Sequence, residues 1–137
     1  MSVTDELQQL LYDTLTGDPV VAALVDGVYD HVPNDAFGVR NAYISFGASD
    51  GADDGADCIY GSRHTFQIDV WSRAVGKVGC RRIVDAVRRA LHERSLSLTE
   101  NALVEMRVEL WRVLPDPDGL TTHGVVQVTA RVEEPAA

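Results

Sequence analysis

Apolar side chains recur at helical spacing in three stretches of the chain. In residues 3–16 they fall on one side of the predicted helix, and Ser2 is placed to cap its first turn. Asp18 and Gly27 bracket a second, almost entirely apolar helix. The longest amphipathic pattern lies in residues 75–94, where an apolar stripe shares the helix with several arginines. These spacings predict three helices.

Four other stretches alternate apolar and polar side chains, which is the period of a half-buried strand. They are residues 41–49, 63–73, 103–114 and 122–134. A short extended piece at 28–35 is broken by Pro33 and is left outside the predicted sheet. The element order is then α-α-β-β-α-β-β. It predicts an α+β fold, a single domain over residues 1–137, with helices packed on one face of a four-stranded, mainly antiparallel sheet.

The predicted outer face of this sheet keeps large apolar side chains. Trp71 and Trp111 fall on it by alternation, together with Tyr43 and Val125, among glutamate, arginine and threonine. Monomeric soluble proteins rarely leave large apolar patches uncovered. We therefore expect the protein to self-associate through the sheet.

Between the first two strands lies an acidic, glycine-rich stretch, predicted as a flexible loop over residues 47–62. It carries four aspartates, Asp50, Asp53, Asp54 and Asp57. A calcium loop of the EF-hand type needs oxygen ligands at its third and twelfth positions, and the registers starting at Asp50 and Asp53 do not supply them. A phosphate cradle is excluded because the carboxylates would repel the ligand. Three interpretations stay open: a solvated loop, a loop that becomes ordered against another subunit or partner, and a weak cation site.

Charge is distributed unevenly along the chain. The net charge is −9, and residues 1–60 hold eleven acidic side chains and one basic side chain, whereas residues 61–137 hold ten acidic and eleven basic ones. Wrapping DNA needs clustered lysine and arginine, so the acidic half argues against that role. It suits a surface that repels DNA or docks on a basic partner.

No catalytic constellation emerges from the sequence. The four histidines and two cysteines lack metal-ligand spacing, and no nucleophile motif of the GxSxG kind occurs. We therefore predict no enzyme activity, no metal site and no cofactor. Arg81 and Arg88 belong to the arginine cluster of the third helix, interpreted as a solvated face or as subunit salt bridges. Acidic residues near the start and the absence of a long apolar run predict a protein made in the cytoplasm and not bound to a membrane.

The layout as a whole resembles a known family. The segments that carry the likeness are Asp18-Pro19 through Pro33, Val70-Trp71-Ser72-Arg73 and Ala90-Leu91-His92. In this order of helices and strands, over roughly residues 5–134, they are similar to the tail terminator (tail completion) family of long-tailed phages and of the gene transfer agents derived from them. None of these segments is a catalytic signature.

The resemblance implies a structural subunit that assembles into a hexameric ring. Such a ring caps the tail tube, stops its polymerisation and offers a docking surface to the head-side connector, while DNA passes through the lumen without specific binding. The implied partners are copies of itself, the tail tube protein and the connector or stopper protein, within the tail of a virion or virion-like particle. The alternatives are a head–tail connector or stopper protein and, in another class, a small cation-binding module centred on the Asp50–Asp57 loop.

Three groups of side chains are the candidate contacts with another subunit or a partner. They are the acidic residues of the loop, the two tryptophans assigned to the outer sheet face, and two arginines of the third helix. By number they are Asp50, Asp53, Asp54, Asp57, Trp71, Arg81, Arg88 and Trp111. None of them is assigned a catalytic or metal-binding role.

Overall fold

A computed structural model of the protein describes residues 2–135, which form three helices and five strands. In chain order they are α1 (Val3–Gly17), α2 (Pro19–Leu24), β1 (Val28–Tyr29), β2 (Ala42–Asp53), β3 (Tyr60–Ser72), α3 (Val78–Leu91), β4 (Ala102–Pro115) and β5 (Thr122–Glu134). The α+β class predicted from the sequence is confirmed.

Both N-terminal helices begin at the predicted capping residues. Ser2 Oγ accepts a hydrogen bond from the Asp5 amide at 3.1 Å. The Asp18 carboxylate accepts from the amides of Val20 and Val21 at 2.9 and 3.0 Å. These caps satisfy backbone donors that have no partner inside the helix. No helix within residues 2–135 is long and apolar enough to cross a bilayer.

The sheet has five strands in the order β1-β2-β3-β5-β4, so the prediction of four strands is wrong. The additional strand is β1, which pairs parallel with β2 through Val28↔Ile44 and Tyr29↔Ser45, whereas the other neighbouring strands pair antiparallel. The extended piece before Pro33 thus joins the edge of the sheet. Two residues are too few to show a period of two, so the sequence pattern could not assign them.

The three helices share an apolar core with one face of the sheet. Fully buried side chains come from every layer: Leu7, Leu11, Leu15, Val21, Ile44, Ile68, Val70, Val87, Leu91, Val126 and Val128. Helix α3 lies so near β5 that a Cβ on Gly124 would stand 2.6 Å from Val84 Cγ2 and 3.1 Å from Cys80 Sγ. Burial raises the pKa of the Cys80 thiol to about 11, so this thiol acts as a small apolar side chain.

The acidic stretch is mostly strand rather than loop. Strand β2 continues to Asp53 and β3 begins at Tyr60, so the connection spans residues 54–59 instead of the predicted 47–62. Glycine, alanine and aspartate have low strand propensity. The stretch is also exposed on both faces, so no alternation of apolar and polar residues marked it as a strand.

Residues 47–60 form what we call the acidic arm. Each of them is exposed except Asp54, which is half-buried. The amides and carbonyls of Ala56 and Ile59 exchange two hydrogen bonds, of 3.1 and 3.0 Å, that close the turn at its tip. The arm therefore leaves the core as a hydrogen-bonded ribbon.

An irregularity in β4 exchanges the faces on which its side chains lie. The register shifts between Val108 and Leu110, so Trp111 pairs with the core residue Val126 and faces the helices. The prediction that Trp111 lies on the outer face is wrong for this reason. Leu110, which strict alternation with Trp111 on the outer face would point inward, takes the outer face instead.

Candidate interaction surfaces

The sheet face opposite the core is covered by none of the three described helices. Its side chains form rows across the strands, because the register of neighbouring strands is fixed. From the β2 start to the acidic arm, the rows are Tyr43–Trp71–His123–Leu114, Ser45–Asp69–Val125–Arg112, Gln67–Gln127–Leu110, Asp50–Thr65–Thr129–Arg107 and Ala52–Arg63–Arg131–Glu105. The outer face is thus aromatic at one end and charged at the end nearest the arm.

Aromatic rings stack along the first row. Trp71 lies on His123 with ring centroids 3.9 Å apart, and Tyr43 lies 6.4 Å from Trp71. Phe37, in the segment before β2, meets Tyr43 edge-on at 4.8 Å and carries the guanidinium of Arg73 over its ring at 4.0 Å. We call Tyr43, Trp71 and His123 the aromatic platform. It is half-buried and lies at the boundary with solvent.

Hydrogen bonds fix the orientation of the platform. The carboxylate of Asp69, which is 6% exposed, accepts from His123 Nε2 at 2.7 Å and from Gln67 Nε2 at 2.9 Å. Trp71 Nε1 donates to Ser45 Oγ at 3.0 Å. Turning either ring would leave a sheltered polar atom without its partner, which is costly. The platform is therefore ordered before any partner arrives.

Ion pairs occupy the rows nearest the acidic arm. Asp54 contacts Arg131 Nε at 2.9 Å and lies 3.8 Å from Arg63. Glu105 lies 3.6 Å from Arg107 and 4.0 Å from Arg131. The hydrogen bond that Arg131 Nε donates to the Asp54 carboxylate raises the pKa of the guanidinium. Exposed pairs of this kind stabilise weakly. Those of Asp54 connect the arm to Arg63 on β3 and to Arg131 on β5.

Trp111 and Arg88 meet on the helix side of the sheet. The guanidinium of Arg88 lies over the Trp111 ring at 4.8 Å and binds Asp85 at 2.7 Å. Arg81 lines the same groove between α3 and β4. The structure therefore brings three of the predicted contact residues together, while Trp71 lies on the opposite face.

The predicted acidic contacts lie along the arm, apart from the other candidates. Asp50 stands beside Thr65, Asp53 accepts a hydrogen bond from the Gly55 amide at 3.3 Å, and Asp57 is exposed at the turn. Within residues 2–135, no three His, Cys, Asp or Glu side chains converge where they could hold a metal ion. The alternative of a cation-binding module therefore has no ligand set in the described part of the chain.

Sequence reasoning did not find the role of Glu6. Its carboxylate accepts from the amides of Thr99 and Glu100 at 3.0 and 2.7 Å and from Asn101 Nδ2 at 2.9 Å. These hydrogen bonds, that of the Glu100 amide above all, hold the pKa of the Glu6 carboxyl below its ordinary value. They fasten α1 to the segment that leads into β4. The partners lie 93 to 95 positions away, so no local sequence pattern predicts them.

His64 lies on the core face, where alternation predicts it, and burial lowers its pKa. Its Nε2 is 2.8 Å from Ser62 Oγ, while Nδ1 has no hydrogen-bond partner within residues 2–135. A Ser-His-Asp triad needs an acid on that nitrogen to orient the ring. The Ser62–His64 pair therefore lacks the third member of a triad in this range.

Comparison with known proteins gives these surfaces a context. The sequence profile of the family described as "Tail completion protein gp17" matches residues 9–133. The chain belongs to this family. The resemblance found in the sequence is confirmed.

A solved structure supports the same assignment. The chain is similar to a chain in the structure described as "Virion of native gene transfer agent (GTA) particle", with 31% sequence identity and a TM-score of 0.86. The match covers 96% of this chain and 98% of the other. Comparison with curated protein sequences found no match. This tail completion protein is thus a structural protein of a phage-type tail, and it belongs in a phage or gene transfer agent particle with other tail or head proteins.

Proposed function

We propose that this protein is the tail terminator, a single-domain subunit of a hexameric ring that caps the tail tube. The ring stops further polymerisation of the tube and offers the docking surface for the head-side connector. The protein is assembled in the cytoplasm, and it works by binding rather than by catalysis. The proposal extends the family membership, which covers residues 9–133.

The observation that carries the proposal is the open outer face of the sheet. It presents the aromatic platform, Tyr43, Trp71 and His123, next to Leu114, with the rings fixed by hydrogen bonds to Asp69 and Ser45. Ordered aromatic side chains with apolar neighbours are favoured at the centres of protein interfaces. Because they are already ordered, they lose little entropy on binding. We assign this face to the contact with the tube or with the connector.

The charge distribution fits a ring through which DNA passes. The net charge is −9, and all of the excess negative charge lies in residues 1–60. A negative lumen gives DNA no counterion-release gain, so the DNA can move through it without specific binding. This part of the proposal predicts that the isolated protein does not retain double-stranded DNA at physiological salt.

The proposed termination is tested with polymerising tail tubes from the same kind of particle. Wild-type protein should arrest elongation, and Trp71→Ala should give longer tubes because the centre of the platform is lost. Tyr12→Ala is the matched control, since Tyr12 is an exposed aromatic residue on α1, away from the sheet face. Tube length is measured by negative-stain electron microscopy.

Leu114→Arg provides a second variant in case Trp71→Ala weakens the fold. Leu114 lies at the exposed end of the platform row, on the edge strand β4. Both variants should lose termination, and the Tyr12→Ala control should keep it. Arrest of elongation by both platform variants would contradict the assigned face. Wild-type protein that joins heads to finished tails without affecting tube length would instead be a connector or stopper.

A further inference from the structure

Helices α2 and α3 enclose an apolar groove of about 440 Å³ on the surface of the protein. Val20, which is 60% exposed, and Leu24 line it from α2, and Ala86 lines it from α3. Large exposed aliphatic side chains in a concave site are typical of a place that receives an apolar side chain. The groove is therefore a candidate binding site for one or two apolar side chains.

Arginines form the rim of this groove. Arg82, Arg89 and Arg94 line it together with Asp18 and Asp85. The two carboxylates are already occupied: Asp18 caps α2, and Asp85 binds Arg89 at 3.1 Å as well as Arg88. Within residues 2–135, neither Arg82 nor Arg94 forms an ion pair. The rim is cationic, and it is complementary to a partner segment with acidic groups around an apolar side chain.

The tip of the acidic arm has this composition. Ile59 and Tyr60 are 48% and 58% exposed, and the exposed residues Asp53 and Asp57 belong to the same arm. The Ala56–Ile59 bridge holds the turn in one conformation. An exposed apolar side chain and exposed acidic residues on the same arm match an apolar groove rimmed by arginines.

One chain cannot bring its own tip to its own groove. The Asp26 amide, just after α2, donates to the Ala42 carbonyl at 2.8 Å, so α2 ends at the start of β2. The arm's tip follows the other end of the same strand, at Asp53. Strand residues rise by about 3.3 Å each, so these two ends are about 35 Å apart. Only another copy can supply the tip.

We propose that the tip of the acidic arm of one subunit occupies the α2–α3 groove of the next, with Ile59 against Val20 and Leu24 and the tip carboxylates on the rim arginines. Contacts between different patches of identical chains are heterologous, and they close into a ring when the rotation allows it. The inference rests on the proposed ring and names its subunit interface. It leaves the aromatic platform free for the tube or the connector.

A disulfide test uses the chain's own exposed cysteine. Cys58 lies at the tip, and the other cysteine, Cys80, is buried, with a pKa raised by burial. Val20→Cys puts a second thiol in the groove. Mild oxidation of the assembled protein with diamide should then link neighbouring subunits into a ladder on a non-reducing gel.

Three controls make the ladder specific. Val39→Cys places a thiol at a residue that is 93% exposed and outside the groove. Wild type and the Val20→Cys/Cys58→Ser double variant each lack one thiol of the pair. None of the three should form the ladder.

Charge reversal gives an independent measurement. Arg82→Glu with Arg94→Glu, or Asp53→Lys with Asp57→Lys, should each reduce the cross-linking of Val20→Cys by about tenfold, since like charges then face each other. Combining both reversals should restore it. If cross-linking stays low in the variant that combines both reversals, the proposed pairing of the arm carboxylates with the rim arginines is wrong.

The outcomes separate this inference from the proposed function. Rings on tail tubes in which the Val20→Cys thiol forms no disulfide with Cys58 would overturn the tip–groove contact and leave the terminator function standing. Cross-linked chains that do not arrest tube elongation would support the contact and contradict termination. Three further results would show that the contact is wrong. Val39→Cys could form the ladder to the same extent as Val20→Cys, or the groove thiol could link to a tube or connector protein instead of Cys58. The third such result is that no assembly forms, with or without tubes.

Discussion

Strand β2 passes through two environments within twelve residues. Its first part, residues 42–46, lies in the sheet above the helices and contributes Ala42 and Ile44 to the core. Its second part, residues 47–53, belongs to the acidic arm and is exposed on both faces. Backbone hydrogen bonds to β3 continue through both parts, but burial of apolar surface supports only the first.

The difference separates two kinds of sequence constraint. In the core part, a change of volume is costly because protein interiors are close-packed. In the arm, the ladder to β3 and the Asp54–Arg131 pair hold the backbone, so the remaining side chains are not fixed by packing. We infer that core residues determine whether the chain folds and that arm residues serve the proposed contact with the next subunit.

The largest expected effect follows from a truncation in the core. Leu11 is fully buried under the sheet, so Leu11→Ala should lower the free energy of unfolding by about 2–5 kcal/mol, through lost burial and a residual cavity. Urea denaturation followed by circular dichroism measures it. Tyr12→Ala, at the exposed neighbouring position, is the control and should change stability by about 0.5 kcal/mol or less. Equal losses for the two variants would contradict the assignment of the core.

A smaller and pH-dependent effect is expected for Glu6→Gln. Hydrogen bonds lower the pKa of this carboxyl in the folded protein, so the ionised form stabilises the fold above the ordinary carboxyl pKa. That contribution is lost as the pH falls through the lowered value. The variant should therefore melt at a lower temperature than wild type at pH 7, and the gap should close in acid. A gap of equal size at pH 7 and in acid would contradict this role of Glu6.

The smallest effect on stability is expected when the arm is shortened. Replacing residues 54–61 by Asn-Gly closes β2 and β3 with a two-residue turn after Asp53. The core is untouched, so the melting temperature should change little while ring assembly is lost. Differential scanning calorimetry and mass photometry measure the two quantities separately. A large fall in melting temperature would mean that the arm belongs to the folding unit.

The sequence predicts the core part of the fold well, because its signals are local. Helix periodicity, the caps at Ser2 and Asp18, and the alternation in β3 and β5 all depend on neighbours a few positions away. The inward position of His64 follows from the same alternation. These features are confirmed, because residues close in sequence determine them and distant contacts are not needed.

The remainder depends on contacts or irregularities that no local pattern encodes. The bulge after Val108 adds one residue to β4 and thereby moves Trp111 to the helix side. The bond between Asp69 and His123 joins residues 54 positions apart. The four acidic candidates lie on one segment, which was predicted as a loop. Its strand character comes from pairing with β3, which composition alone did not suggest.

We propose that this tail completion protein ends the tail tube as a ring. Electron microscopy of tubes assembled with and without the protein tests it most directly. We expect one hexameric ring at a single end of each tube, and tubes of limited length only when the protein is present. Protein bound along the tube wall, or tubes that grow to the same lengths without any ring, would contradict it.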